Sequence, residues 1–112
     1  MKHNMKLNNE PYNSIYYGKK DIEMRLYDEK RQLINLGDII AFTNNETMDS
    51  FDAKVVFLHR YKSFNQLYEK FDKIRLGYRE DEVAKAEDME QYYSNEEIDK
   101  YGVVGIEIVV IR

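Results

Sequence analysis

Lys20, Glu23 and Arg25 put an amine, a carboxylate and a guanidinium within six consecutive positions. They lie in the stretch GKKDIEMRLYDEKR, residues 18–31, which carries nine charges in fourteen residues. A lysine close to a glutamate can act as an acid–base pair and direct a water molecule. An arginine beside them can grip a phosphate or carbonyl through charge-assisted hydrogen bonds, while the glutamate accepts from a base amine or a sugar hydroxyl. Lys19 flanks this group, and Asp28, Lys30 and Arg31 continue the charge into the following turn. At the mouth of a groove, Lys30 and Arg31 would meet a phosphate backbone. The ordinary alternative is a solvated strand with a cross-strand ion pair and a polar turn, which adds little to stability.

Other chemistries are poorly supplied. The chain has no cysteine and two histidines, which excludes disulfides, thiol catalysis and the common zinc sites, so no metal is expected. No nucleophile elbow, phosphate loop or dinucleotide fingerprint occurs, and no cofactor is expected. The net charge of −4 argues against a plain polyanion binder. That charge is uneven: residues 78–112 hold ten acids and four bases, leaving the first two thirds slightly basic. An anion-binding surface therefore belongs in the first two thirds of the chain.

The elements that must position these residues follow from periodicity. His3, Met5 and Leu7 alternate with polar residues, as in a short strand. Pro11 suits the first turn of a helix carrying Tyr12, Ile15 and Tyr16, which Gly18 can stop. From Lys20 the period becomes two: Ile22, Met24 and Leu26 share a core-facing side, and Glu23 and Arg25 share the other. Lys20 then reaches Glu23 only if the chain bends at the helix-to-strand junction, which Gly18 permits. Leu36-Gly37-Asp38 turns into a strand at IIAFT, and residues 53–61 form another after a polar loop, TNNETMDSFD. Ser63 with Gln66 and Ser94 with Glu97 have the spacing of helix capping boxes. Residues 80–93 are expected to be an acidic, solvated helix, and most of the tyrosines, including Tyr68 and Tyr93, fall at core spacing. The apolar run VVGIEIVVI closes the chain as a strand paired on both edges. Strands in runs with helices set apart imply an α+β class, here a small β-barrel with short flanking helices. A length of 112 residues fits one domain, residues 1–112. No apolar stretch is long enough to span a bilayer or act as a signal peptide, so a soluble cytoplasmic location without membrane contact is expected.

GKKDIEMR (18–25), LGDIIAF (36–42) and the terminal YGVVGIEI (101–108) together resemble the ASCH domain, a member of the PUA-like β-barrel superfamily. The resemblance runs over nearly the whole chain. It implies binding of RNA or of a modified nucleoside in a cleft beside the GKKDIEMR strand, lined by Lys19, Lys20, Glu23, Arg25, Asp28, Lys30 and Arg31. One branch of that family hydrolyses the acetyl group of N4-acetylcytidine with a lysine, a threonine and a glutamate. Lys20 falls on the lysine, but the threonine position is Glu23 here. The glutamate has only Glu80 and Glu82 in its region. A carboxylate at that place does not reproduce the lysine-activated hydroxyl nucleophile well. The alternative to binding is therefore a hydrolase, either an amidohydrolase or a ribonuclease, with Lys20 and Glu23 as its acid–base pair.

Overall fold

The alternating and apolar segments pair into one mixed sheet in the computed structural model, which describes residues 1–112. Its strands are β1 (Lys2–Leu7), β2 (Ile22–Leu26), β3 (Ile39–Asn44), β4 (Ser50–Tyr61) and β5 (Val103–Ile111), in the spatial order β1-β3-β4-β5-β2. β1 runs parallel to β3 and every other pairing is antiparallel. The apolar β5 is paired on both edges, as its composition requires. The sheet curls into a half-barrel whose two free edges are β1 and β2. A bulge between Val55 and Phe57 bends β4 and assists the curl.

Two apolar clusters hold the layers together. Inside the curl, Met5, Leu7, Ile40, Phe42, Phe51, Val55, Val104, Ile106 and Ile108 surround Tyr12 and Ile15 of α1 (Asn9–Tyr16), which plugs the half-barrel. Outside it, α2 (Phe64–Lys70), α3 (Lys73–Leu76), a 3-10 turn at Ala86–Gln91 and α4 (Asn95–Tyr101) accompany a second cluster. There Phe64, Leu67, Leu76 and Met89 pack on Ile22, Met24, Leu26 and Val103. This is the expected α+β barrel with short flanking helices, left open along one seam.

Three local expectations change. Residues 80–93 do not form one helix: they are irregular up to Lys85 and then a 3-10 turn. Six acids within residues 80–90 repel at helical spacing, and Met89 is the one fully buried anchor. Lys73 Nζ ties the segment down by donating to the carbonyls of Glu80 and Glu82. β4 begins at Ser50 rather than 53, because Phe51 continues the inward set with Ala53 and Val55 and packs on Tyr12, Tyr16 and Phe42. Ser94 and Glu97 form a complete capping box. At Ser63 only half of it forms: Ser63 Oγ accepts from the Gln66 N–H, while Gln66 Oε1 accepts from Lys62 instead.

The turn before β3 is held by Asp38, whose carboxylate bonds the His3 ring at 2.8 Å and accepts from the Asn35 N–H at 2.9 Å. His3 first, then Asn35, pull its pKa down to about 2. A carboxyl depressed in the folded state stabilises the fold above its unfolded pKa of about 3.9, and that contribution vanishes as pH falls through the folded value. We predict that urea midpoints of the wild type fall between about pH 4 and pH 2 more steeply than those of Asp38→Asn; parallel curves would contradict this role for Asp38.

Candidate functional site

β2 buries both of its faces, and the polar one points inward. Glu23 pairs across to Ile106 and Arg25 to Val104, both members of the cluster inside the curl. Ile22, Met24 and Leu26 are buried as expected, but against the outer helices. A carboxylate inside a half-barrel needs partners, because an unpaired buried charge costs several kcal/mol or more. Glu23, 4% exposed, has two: Oε1 meets Lys20 Nζ at 2.9 Å, and Oε2 accepts from Arg25 Nε at 2.7 Å.

Lys20 reaches this position because it precedes the strand. Gly18 takes a φ of +83°, and the N–H groups of Lys19 and Lys20 both donate to the Ser14 carbonyl, so the chain turns sharply before β2 begins. The aliphatic stem of Lys20 then crosses Gly77, where a Cβ would lie 2.9 Å from Lys20 Cδ. Gly77 also has a φ of +107°, so both the close approach and the backbone demand glycine. Arg75 fastens the two segments: its guanidinium grips Asp21 through two hydrogen bonds of 2.9 and 3.1 Å, and its carbonyl accepts from the Asp21 N–H.

Arg25 also spans the open seam. Its Nη2 donates to the Lys6 carbonyl of β1 at 3.4 Å, linking the two free edges that share no backbone ladder. Burial would raise the Glu23 carboxyl, but Lys20 and Arg25 outweigh it and hold the pKa below the ordinary glutamate value. Burial works equally against the Arg25 cation, and Glu23 more than offsets it. Glu23 and Arg25 are therefore both held in their charged forms.

Above them lies a cleft of about 540 Å³, bordered by Lys6 and Asn45 on one side and by residues 76–78, 88, 89 and 91–93 on the other. Tyr68, Tyr78, Tyr92 and Tyr93 supply aromatic surface. Tyr78 donates to Asp88 Oδ2 at 2.8 Å, so its oxygen accepts from Tyr68, 2.8 Å away. Burial, then the Tyr68 and Asp88 contacts, push the Tyr78 phenol well above its ordinary pKa; burial likewise raises Tyr68 and Tyr93. These phenols stay protonated, and Tyr68 and Tyr78 orient each other.

Of the seven residues singled out in the sequence, Lys20, Glu23 and Arg25 line the cleft together. Asp28 and Arg31 pair with each other at 3.2 Å beyond its border, while Lys19 and Lys30 are exposed and outside it. Of the two acids in the region of the family's glutamate, Glu82 borders the cleft and Glu80 does not. Spacing alone did not reveal the four tyrosines, Gly77 or Asp88. One signal was present: ten tyrosines against five phenylalanines is an excess of phenol that a purely apolar core does not need. No group of three His, Asp or Glu side chains is gathered to hold a metal ion. No helix is long and apolar enough to cross a membrane.

An open, curled mixed sheet with helices on its outer face, and a polar cleft at the seam, is a PUA-like α+β architecture. The chain belongs to the ASCH domain family, which it matches over residues 5–112. It is 40% identical to the hypothetical protein PH0355 in a crystal structure, covering 99% of this chain and 100% of that one, with a TM-score of 0.83. Protein PF0455 from Pyrococcus furiosus is 34% identical over 100% and 99% of the two chains, with a TM-score of 0.76. The ASCH protein from Zymomonas mobilis shares the fold at 16% identity, with a TM-score of 0.70 over 99% of this chain and 71% of its own. No curated protein matches the sequence.

Because Glu23 is the one anion between the buried Lys20 and the partly buried Arg25, its loss should cost more than the loss of either partner. Glu23→Ala is expected to destabilise the fold by about 3–5 kcal/mol, with Lys20→Met and Arg25→Met each costing less. Chemical denaturation of the three variants checks this, and an equal or smaller loss for the glutamate variant would contradict it.

Proposed function

We propose that the cleft binds an uncharged nucleobase, presented by a free or modified nucleoside or by an RNA base turned out of its strand. One observation carries this reading: the buried Glu23 carboxylate, in contact with Lys20 and Arg25, lies beneath a cleft bordered by four tyrosines. Its volume of about 540 Å³ suits a small-molecule site. Aromatic side chains stack on bases of any identity, while hydrogen bonds to base edges select among them. Each Glu23 oxygen is engaged by one cation and keeps a lone pair for a base amine. Membership of the ASCH family supports the link to RNA and nucleosides.

The charge of the border favours a base over a phosphate. Lys6, Lys20 and Arg25 face Glu10, Glu23, Glu82 and Asp88, three cations against four carboxylates. A polyanion gains little from such a lining. A hydrolase, either an amidohydrolase or a ribonuclease, is the second reading, supported by the 2.9 Å contact between Lys20 and Glu23. It is the weaker one, because a carboxylate stabilised by two cations makes a poor general base.

The test is NMR titration of the labelled protein with cytidine, uridine, adenosine, guanosine and N4-acetylcytidine. At least one should shift resonances of Tyr68, Gly77 and Tyr93, with an affinity that changes little between low and physiological salt. Glu23→Gln should weaken it about tenfold while the spectrum remains that of a folded chain. Silence from all five, or shifts confined to another face, would overturn the proposal. Release of acetate from N4-acetylcytidine would favour the hydrolase instead.

A further inference from the structure

Arg60 stands apart from the other arginines. Of the six, Arg25, Arg31, Arg75, Arg79 and Arg112 all donate to protein oxygens. Arg60 has no such acceptor; its guanidinium lies 3.9 Å above the centre of the Tyr27 ring. An arginine held over an aromatic ring, with no protein acceptor, keeps its N–H groups free and loses little further entropy on gripping an anion.

The surroundings reinforce this. Arg60 and Tyr27 border a shallow depression of about 650 Å³ together with Tyr61, Lys62, Lys100 and Tyr101. Its charged residues are three cations, Arg60, Lys62 and Lys100, against the single carboxylate of Asp99. The charge balance is thus opposite to that of the cleft, where carboxylates are in the majority.

The sheet register relates the two places. Arg25 pairs with Val104 on β5, and Val104 pairs with Arg60 on β4. Directly opposed residues share a face, and neighbouring strands are about 4.8 Å apart. Arg60 therefore stands on the same concave face as Arg25, two strands or about 10 Å across. Tyr27 follows Arg25 by two residues and keeps to that face, and its N–H bonds the Gly102 carbonyl just beyond the end of β2.

We propose that Arg60, Lys62 and Lys100 form a phosphate-binding surface for the single-stranded RNA that flanks the base held in the cleft. This rests on the cleft reading, and it assigns the polymer rather than the free nucleoside as the ligand. The base enters the acidic, tyrosine-lined cleft. The neighbouring phosphodiester crosses the sheet to the Arg60 guanidinium, with Lys62 and Lys100 meeting further phosphates. Phosphate contacts fix register without reading sequence, so this surface supplies affinity and the cleft supplies selection.

The experiment compares fluorescence anisotropy of a labelled single-stranded RNA 8-mer with NMR titration of the nucleoside that binds the cleft. The 8-mer should bind more tightly than the nucleoside, with a log affinity that falls against log salt at a slope of about −2 for three phosphate contacts. Arg60→Ala should weaken the 8-mer about tenfold and make that slope shallower by about 0.7, leaving nucleoside affinity unchanged. Lys62→Ala with Lys100→Ala should flatten the slope further. If a nucleoside binds but the 8-mer gains nothing, or Arg60→Ala alters neither its affinity nor its slope, this surface is not a phosphate site. If no nucleoside binds and the 8-mer still depends on Arg60, the surface stands and the cleft reading fails. If the 8-mer binds and responds equally to Arg60→Ala and to substitutions on the opposite face, the attraction is unspecific and the proposal is wrong.

Discussion

The inward-facing carboxylate of Glu23 is the constraint around which the rest is arranged. A half-barrel of this size fills its interior with aliphatic and aromatic side chains, and a carboxylate there is tolerated only as part of an ion pair. Two cations are supplied from opposite directions, Lys20 from the turn before β2 and Arg25 from β2 itself. Replacing the group with apolar residues of equal volume would serve stability as well or better. Its presence therefore calls for a use other than stability, and a ligand with hydrogen-bonding edges provides one.

The same group explains why the sheet is left open. Strand pairing ends at β1 on one side and β2 on the other, and a backbone ladder between them would occupy the space of the cleft. Arg25 bridges the seam with a side chain instead, through the Lys6 carbonyl. The outer helices then complete the site. α3 delivers Gly77 beneath Lys20, and the segment after it brings Tyr78 and Asp88 to face Tyr68.

Much of this was legible in the sequence, and the limits have physical causes. Period-two alternation located β2 and its buried Ile22, Met24 and Leu26, and the apolar run at the end located a strand with two neighbours. Alternation separates two faces without saying which lies inside the curl. The apolar side of β2 reads as core-facing, and the core it meets is a second one outside the sheet. Lys20 and Glu23 meet because a turn, not a strand, precedes Ile22, and Gly18 signalled that bend. The acidic segment misled because composition suggests a helix, whereas repulsion among its carboxylates and two backbone bonds to Lys73 favour an irregular path. The tyrosines were hidden by their dual character, since a phenol at core spacing can pack its ring and still offer its hydroxyl to a cleft.

Whether Glu23 is an ionised carboxylate held between two cations inside the half-barrel can be read most directly from its side-chain carboxyl carbon in a carbon-13 NMR pH titration. The midpoint is expected below the ordinary glutamate value of about 4.3, moving upward when Lys20 is replaced by methionine. A midpoint above that value in the wild type would show that burial prevails over the cations and that Glu23 is not held as this ion pair.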